Sequence, residues 1–309
     1  QCLERHRELF GMYGEWANGN HRNAWWSREN SFRYSYHGRS VWISNEDHHP
    51  DAAWYLFARS GDRLFLKDAI GCSRAIRDVA TTMFNPVYPD RVGGSARHHH
   101  TIWLGMGDAG HSGLEGFLMD WILTGDTRSR QMALLQGEFF RKIQTGHWRY
   151  LSNPLSGLSR LYLETGDPVY KAKADWIATT FATGHKLWDG TGDGYFTYAT
   201  EAIRWYAEIA PAARQLWLQG VQPGAPKDAP RFTSLGDIGS AWEMTRNPQL
   251  AARAYQQGLG LLKNVDATYD PRCRGIDSND ADLCMHTFMR RALFLARAKA
   301  AMDAGRVRP

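Results

Sequence analysis

The sequence predicts an all-α protein, an α/α toroid of helical hairpins with long loops and few short strands. Three observations predict it. A helix–corner–helix unit recurs, with corners at Ser60-Gly61-Asp62, Thr124-Gly125-Asp126 and Thr165-Gly166-Asp167-Pro168, and a degenerate copy at Thr245-Arg246-Asn247-Pro248. These corners are spaced unevenly, unlike those of a tetratricopeptide solenoid, whose period is regular at about 34 residues. A long link bearing Gly, Pro and His runs from Phe84 to Gly110, the kind of loop that builds a site over the inner helices of a toroid.

Pro50 fits the first turn of a helix whose buried stripe is Ala53, Leu56 and Phe57. That helix stops at Gly61, and the next begins near Leu64. Leu114, Leu118 and Ile122 form the apolar face of another helix, which ends where Gly125 takes the left-handed conformation. Leu158 to Glu164 leads into the Pro168 corner, and Trp242 to Met244 into the last one. Each outgoing helix is amphipathic and Ala-rich, as at Tyr170 to Ala174 and Leu250 to Ala254. The acidic residue after the glycine caps it and favours its N-terminus. Gly194-Tyr195-Phe196-Thr197-Tyr198 is the best strand signal, a short hairpin arm. Trp121, Trp176 and Trp242 lie in apolar helical patterns and are expected in the core. No linker divides the 309 residues, so a single catalytic domain over 1–309 is expected.

Composition narrows the function. Lys and Arg exceed Asp and Glu by 37 to 32, a net charge of +5 spread without the basic stripe that nucleic acid demands. No apolar run is long enough to span a membrane. The chain holds 13 Trp, 13 Tyr and 13 Phe, many of them beside polar residues, as in Trp16-Ala17-Asn18, Trp25-Trp26-Ser27 and Phe32-Arg33-Tyr34-Ser35-Tyr36-His37. Aromatic faces dock sugar rings, and the expected partner is an anionic oligosaccharide or polysaccharide. A start at Gln1 without Met suggests a processed chain, secreted or periplasmic. In an oxidising compartment Cys273 and Cys284 are placed to pair, the alternative being free thiols.

Three polar groups are candidates for chemistry. Asn45-Glu46-Asp47-His48-His49 precedes Pro50 and therefore gathers at a helix N-terminus, a location that favours bound anions. His98-His99-His100 lies in the long loop, followed by Trp103. Adjacent histidines in an extended loop point in alternating directions, so substrate binding is the expected role. Zinc shared with His48, His49 and His111 is the alternative, and no cofactor is expected. His111 and Glu115 stand at i,i+4 spacing, with Glu115 expected to orient His111 for proton transfer. Gly105-Met106-Gly107-Asp108-Ala109-Gly110 has the glycine spacing of a dinucleotide fingerprint but follows no strand, and is rejected.

Over residues 16 to 126 the chain resembles the α/α-toroid catalytic domain of the exo-rhamnogalacturonan lyase-like family of polysaccharide lyases. Asn45-Glu46-Asp47 before Pro50, with the Ser60-Gly61-Asp62 corner, is similar to that family's Asn-Glu-Tyr-Asp segment and Thr-Gly-Asp corner. The Asp78-Val79 helix end, the Tyr88-Pro89 loop and the histidines follow in similar order. Gly110-His111-x-x-x-Glu115-Gly116 running into Thr124-Gly125-Asp126 is the nearest match.

The resemblance implies β-elimination on a uronic-acid-containing glycan. That reaction needs a group to neutralise the uronate carboxylate, for which Arg33, Arg39 and Asn45 are candidates. It needs a base for the C5 proton (His111 or His49) and an acid for the departing O4 oxygen (Tyr36 or Tyr34). Trp16, Trp26 and Trp103 are the expected sugar platforms, with Glu46, Asp47, His48, His98, His99, His100 and Glu115 contacting substrate. Glycoside hydrolysis by two carboxylates from Glu46, Asp47, Asp108 and Glu115 is the alternative. A non-catalytic glycan-binding or helical-repeat module is a third reading. It expects residues 34–49, 98–100 and 111–115 to lie apart.

Overall fold

The computed structural model describes residues 24–26, 31–33, 49–95, 107–144, 149–184, 196–221, 235–265 and 299–306. They are predominantly helical, as the corner pattern predicts. Consecutive helices follow one another across tight corners: α1 (His49–Ser60) and α2 (Arg63–Ala75), α3 (Glu115–Thr124) and α4 (Thr127–Lys142), α5 (Arg149–Thr165) and α6 (Pro168–Gly184). Then come α7 (Phe196–Ile209) and α8 (Pro211–Val221), and α9 (Leu235–Thr245) and α10 (Pro248–Val265). The α2 helix runs on into a π-helical turn at Ile76–Ala80. A short antiparallel ribbon pairs β1 (Ala24–Trp26) with β2 (Ser31–Arg33), Trp25 opposite Phe32. The strand expected around Tyr195 to Tyr198 is not one: Phe196 to Tyr198 open α7. Ala202, Ile203 and Tyr206 recur there at helical spacing, all buried, and that period outweighs the local β-propensity.

One hydrogen-bond circuit closes four of the five corners. The hydroxyl of the Ser or Thr donates back to the carbonyl four residues earlier, from Ser60 to Leu56, Thr124 to Asp120, Thr165 to Leu161 and Thr245 to Ala241. The same oxygen accepts the N–H two residues ahead, at Asp62, Asp126, Asp167 and Asn247. The carboxylate or amide of that residue then accepts an N–H from the first turn of the next helix, that of Leu64, Arg128, Val169 or Gln249, at 2.8 to 3.0 Å. The residue between turns left-handed: Gly61 (φ 68°), Gly125 (77°), Gly166 (70°) and, without a glycine, Arg246 (54°). A side chain costs about 1–2 kcal/mol in that conformation. Gly125→Ala should therefore lower stability by about 1 kcal/mol while Arg246→Gly does not, a difference of sign that thermal unfolding reads directly.

The chain divides into two compact units, Gln1–Phe139 with Lys263–Leu293, and Phe140–Leu262 with Phe294–Pro309. In the first, α1, α2 and α3 pack on one another around Ala52, Ala53, Trp54, Ala69 and Cys72, with Phe57, Leu66, Ile70 and Met119 laid against them. Leu114, Phe117 and Leu118 are buried, but Ile122 is exposed, because α3 turns it out one step before its corner. In the second unit α5 lies against α6 and α7, α8 against α7, and α9 against α7 and α8. Leu151, Leu155, Leu158 and Leu161 form the fully buried stripe of α5. The helical stretch 299–306 packs on α10 through two glycines: a Cβ on Gly258 would strike Met302, and one on Gly305 the Ala251 carbonyl.

The tryptophans expected in the core are not buried. Trp121 and Trp242 are intermediate and Trp176 is 38% exposed. Each indole carries a cation on its face: Arg130 over Trp121 at 5.0 Å, Lys173 over Trp176 at 3.7 Å and Arg246 over Trp242 at 4.5 Å. A helical apolar pattern cannot distinguish a core indole from one covered by a neighbouring basic residue. Burial lowers the pKa of the Lys173 ammonium from its ordinary range. Among the described residues the fully buried indoles are Trp54 and Trp217. No described helix is long and apolar enough to cross a membrane.

Candidate functional site

The starts of α1 and α3 meet in the first unit. Gly116, in the first turn of α3, lies so close to Pro50 at the start of α1 that a Cβ there would overlap the proline ring. Ser73 of α2 locks the junction: its hydroxyl donates to the Gly116 carbonyl at 3.2 Å and accepts from the Trp54 indole at 2.9 Å. Two carboxylates are buried beside this contact, Asp51 in the first turn of α1 and Glu115 in the first turn of α3. Helix N-termini favour negative charge there. His49, the first residue of α1, immediately precedes Pro50, so its backbone is brought to the start of α3.

His111 is not on α3. It ends a 3-10 turn, Ala109–His111, capped by Asp108. The Asp108 carboxylate accepts the Gly110 N–H at 2.8 Å, and the same oxygen lies 3.0 Å from His111 Nδ1. The imidazole is fully buried. The partner that orients His111 on Nδ1 is therefore Asp108, where the i,i+4 spacing pointed to Glu115. The helix begins only at Glu115, and the preceding turn brings Asp108 round instead. Spacing had a signal for this. An Asp followed at the second and third positions by Gly and His is the pattern of a short capped turn.

Asp108 is anchored in turn. Its N–H donates to the Ser95 carbonyl at 3.0 Å and its own carbonyl accepts the Ser112 hydroxyl at 2.7 Å. Ser112 Oγ also accepts the Ser95 N–H at 2.7 Å. Gln136 of α4 donates to the Gly93 carbonyl at 3.0 Å and to Ser95 Oγ at 3.1 Å. Glycines permit this crowding: a Cβ on Gly94 would stand 2.6 Å from the Gly107 Cα, and one on Gly107 would meet the Arg91 carbonyl. Gly107, part of the spacing that imitates a nucleotide fingerprint, thus serves close backbone approach. Ser95 and Gly107 bracket the segment bearing His98, His99, His100 and Trp103, and both of its described ends are pinned beside His111.

Before this stem, Thr81 bridges to Ser95, and the loop between carries exposed apolar side chains: Phe84 (81% exposed), Val87 and Tyr88. Asn85 folds it by accepting the N–H groups of Val87 and Tyr88 at 3.0 and 2.8 Å. The aromatic platforms sought at Trp16, Trp26 and Trp103 do not include these.

Beside the junction, Arg74, Arg77, Arg128, Asp78, Asp120 and Asp126 interlock α2, its π turn, α3 and α4. Arg77 donates to both Asp78 oxygens at 2.8 Å, and its Nη1 to Ser129 Oγ at 2.9 Å, 3.1 Å from Asp126. Arg74 reaches Asp120 and Asp126, while Ser129 donates to buried Asp120 at 2.7 Å. The bidentate bond from Arg77 holds the Asp78 carboxyl below its ordinary pKa. For Asp126, burial pushes upward but is outweighed by the Ser129 backbone N–H and Arg77, so its pKa too is depressed. In the second unit, Arg160 and Arg204 both stack on Trp205, at 4.5 and 4.1 Å, and burial followed by its bond to Asp175 raises the Tyr206 phenol.

Of the residues expected in a site, His111 and Glu115 are described and both are buried. His49 opens α1, Trp26 ends β1 and Arg33 ends β2, each described in its backbone. Trp16, Tyr34, Tyr36, Arg39, Asn45, Glu46, Asp47, His48, His98, His99, His100 and Trp103 lie outside the described residues, as do Cys273 and Cys284. Among the described residues no group of three or more His, Cys, Asp or Glu side chains is arranged to hold a metal ion. The chain matches no protein-family model, and no curated protein matches its sequence.

Proposed function

We propose that the protein is a carbohydrate-active enzyme, a polysaccharide lyase that cleaves a uronic-acid-containing glycan by β-elimination from an α/α toroid. The observation that carries the reading is the buried Asp108–His111 pair, which lies just ahead of α3 in the chain. With Nδ1–H donated to Asp108, the basic lone pair of a neutral imidazole lies on Nε2, where it can take the C5 proton. Asp108 then stabilises the imidazolium that forms. The reading requires the entering glycan to uncover His111. The Pro50–Gly116 contact, which brings the backbone of His49 near that of Glu115, supports this reading over a non-catalytic repeat module.

A second reading, glycoside hydrolysis, draws support from three buried carboxylates of the first unit, Asp51, Asp108 and Glu115. One assay separates the two. Incubation with pectic, ulvan-like and glucuronan oligosaccharides should yield unsaturated products that absorb in the ultraviolet, with no water added. New reducing ends without that absorbance would replace elimination by hydrolysis. No cleavage of any of these glycans would remove the lyase reading.

A further inference from the structure

We propose that Ser112 is a positioning residue for His111. Its hydroxyl is a two-way staple: it donates to the Asp108 carbonyl at 2.7 Å and accepts the Ser95 N–H at 2.7 Å. Ser95 in turn accepts the Asp108 N–H, so both backbone polar groups of Asp108 are held, one directly by Ser112 and one by the strand that Ser112 grips. Gln136 fixes that strand to α4 through the Gly93 carbonyl and Ser95 Oγ. Asp108 has one carboxylate oxygen engaged with both Gly110 N–H and His111 Nδ1, so a small rotation of its backbone moves the imidazole with it. Ser112, Ser95, Gln136 and His111 are all fully buried, so these bonds lie in a low-dielectric interior.

The chain of bonds also distinguishes its members. Ser95 acts on Asp108 and Ser112 through its backbone, and among the described residues its side chain bonds Gln136. Ser112 acts through its hydroxyl. Ser112→Ala must therefore disturb His111 more than Ser95→Ala, which keeps both Ser95 backbone bonds and the Gln136 bond to the Gly93 carbonyl. This inference rests on the lyase reading only for its kinetic arm.

The test is proton and nitrogen magnetic resonance of the His111 ring in the full chain, with thermal unfolding of each variant alongside. The wild type should show a downfield, slowly exchanging Nδ1–H resonance and a single tautomer. Asp108→Ala, the reference, should abolish the resonance. Ser112→Ala should lose it and mix the tautomers while still unfolding cooperatively, and Ser95→Ala should retain it. If Ser112→Ala does not fold, Ser112→Cys, of the same shape with a weaker donor, should weaken the resonance. Wild-type resonance and tautomer in the folded Ser112 variant would overturn the proposal. In the lyase assay, Ser112→Ala should lower kcat by about tenfold to hundredfold at unchanged KM, the scale of a small misplacement of a reacting group. Loss of the resonance in Ser112→Ala without any turnover by the wild type would leave the positioning role standing and remove the lyase reading alone.

Discussion

Arg77→Met should cost the first unit about 3 kcal/mol at neutral pH, the lower end of what removing one partner of a buried ion network takes away. Arg77 is 5% exposed and faces Asp78 and Asp126 at once, with Asp120 fully buried 4.0 Å behind. The remaining cations, Arg74 and Arg128, have side chains 40% and 60% exposed and cannot replace it in the interior. Acid should erase the difference. Asp78 and Asp126 have folded pKa values below their unfolded ones, so their contribution is complete above about pH 4 and is lost as pH falls through the depressed values. Protonated, the carboxyls no longer need the guanidinium. Urea unfolding at pH 7 and pH 3 should show the gap between wild type and Arg77→Met narrowing sharply. A gap that stays constant would mean that Arg77 contributes by packing and not by charge.

His111→Ala should lower kcat on a cleavable uronate glycan by about 10²- to 10⁴-fold, the range for a lost proton-transfer group. Asp108→Ala should approach that loss, since it removes the oxygen that holds Nδ1 and also the cap of the 3-10 turn. Asp108→Asn is milder for a geometric reason. One oxygen serves both Gly110 and His111, so an amide oxygen keeps both bonds and sacrifices only the charge beside the imidazolium. Steady-state kinetics of the three variants therefore separate orientation from charge. Equal activity in Asp108→Ala and wild type would remove His111 from the chemistry.

The corners were legible because each rests on contacts a few residues long. Gly61, Gly125 and Gly166, with a hydroxyl before and an Asp after, announce both the left-handed turn and the cap of the next helix. Even Arg246 is legible by its flanking Thr245 and Asn247. The corner between α7 and α8 was missed because Ala210 follows Ile209 with neither glycine nor hydroxyl, leaving Pro211 as the lone signal. Long-range pairing was less readable. Nothing local says that Gly116 needs to be small because Pro50 lies on it, or that Ser95 and Asp108 join across the loop between them. Likewise Glu115 lay on the expected helical face of His111, but the helix began four residues later than that face assumes. One displaced start transferred the orienting role to Asp108.

The four corner circuits also bear on how quickly the chain organises. Every bond in them spans four residues or fewer, so a corner closes without first bringing distant segments together and avoids the entropy of a large loop. Corners of this kind can nucleate both flanking helices while the rest of the chain is still open, each hairpin arriving with its turn already set. The slow events are then left to contacts such as Ser95 with Asp108 and Pro50 with Gly116. The bonds around His111, being long-range, are thus expected to form after the corners.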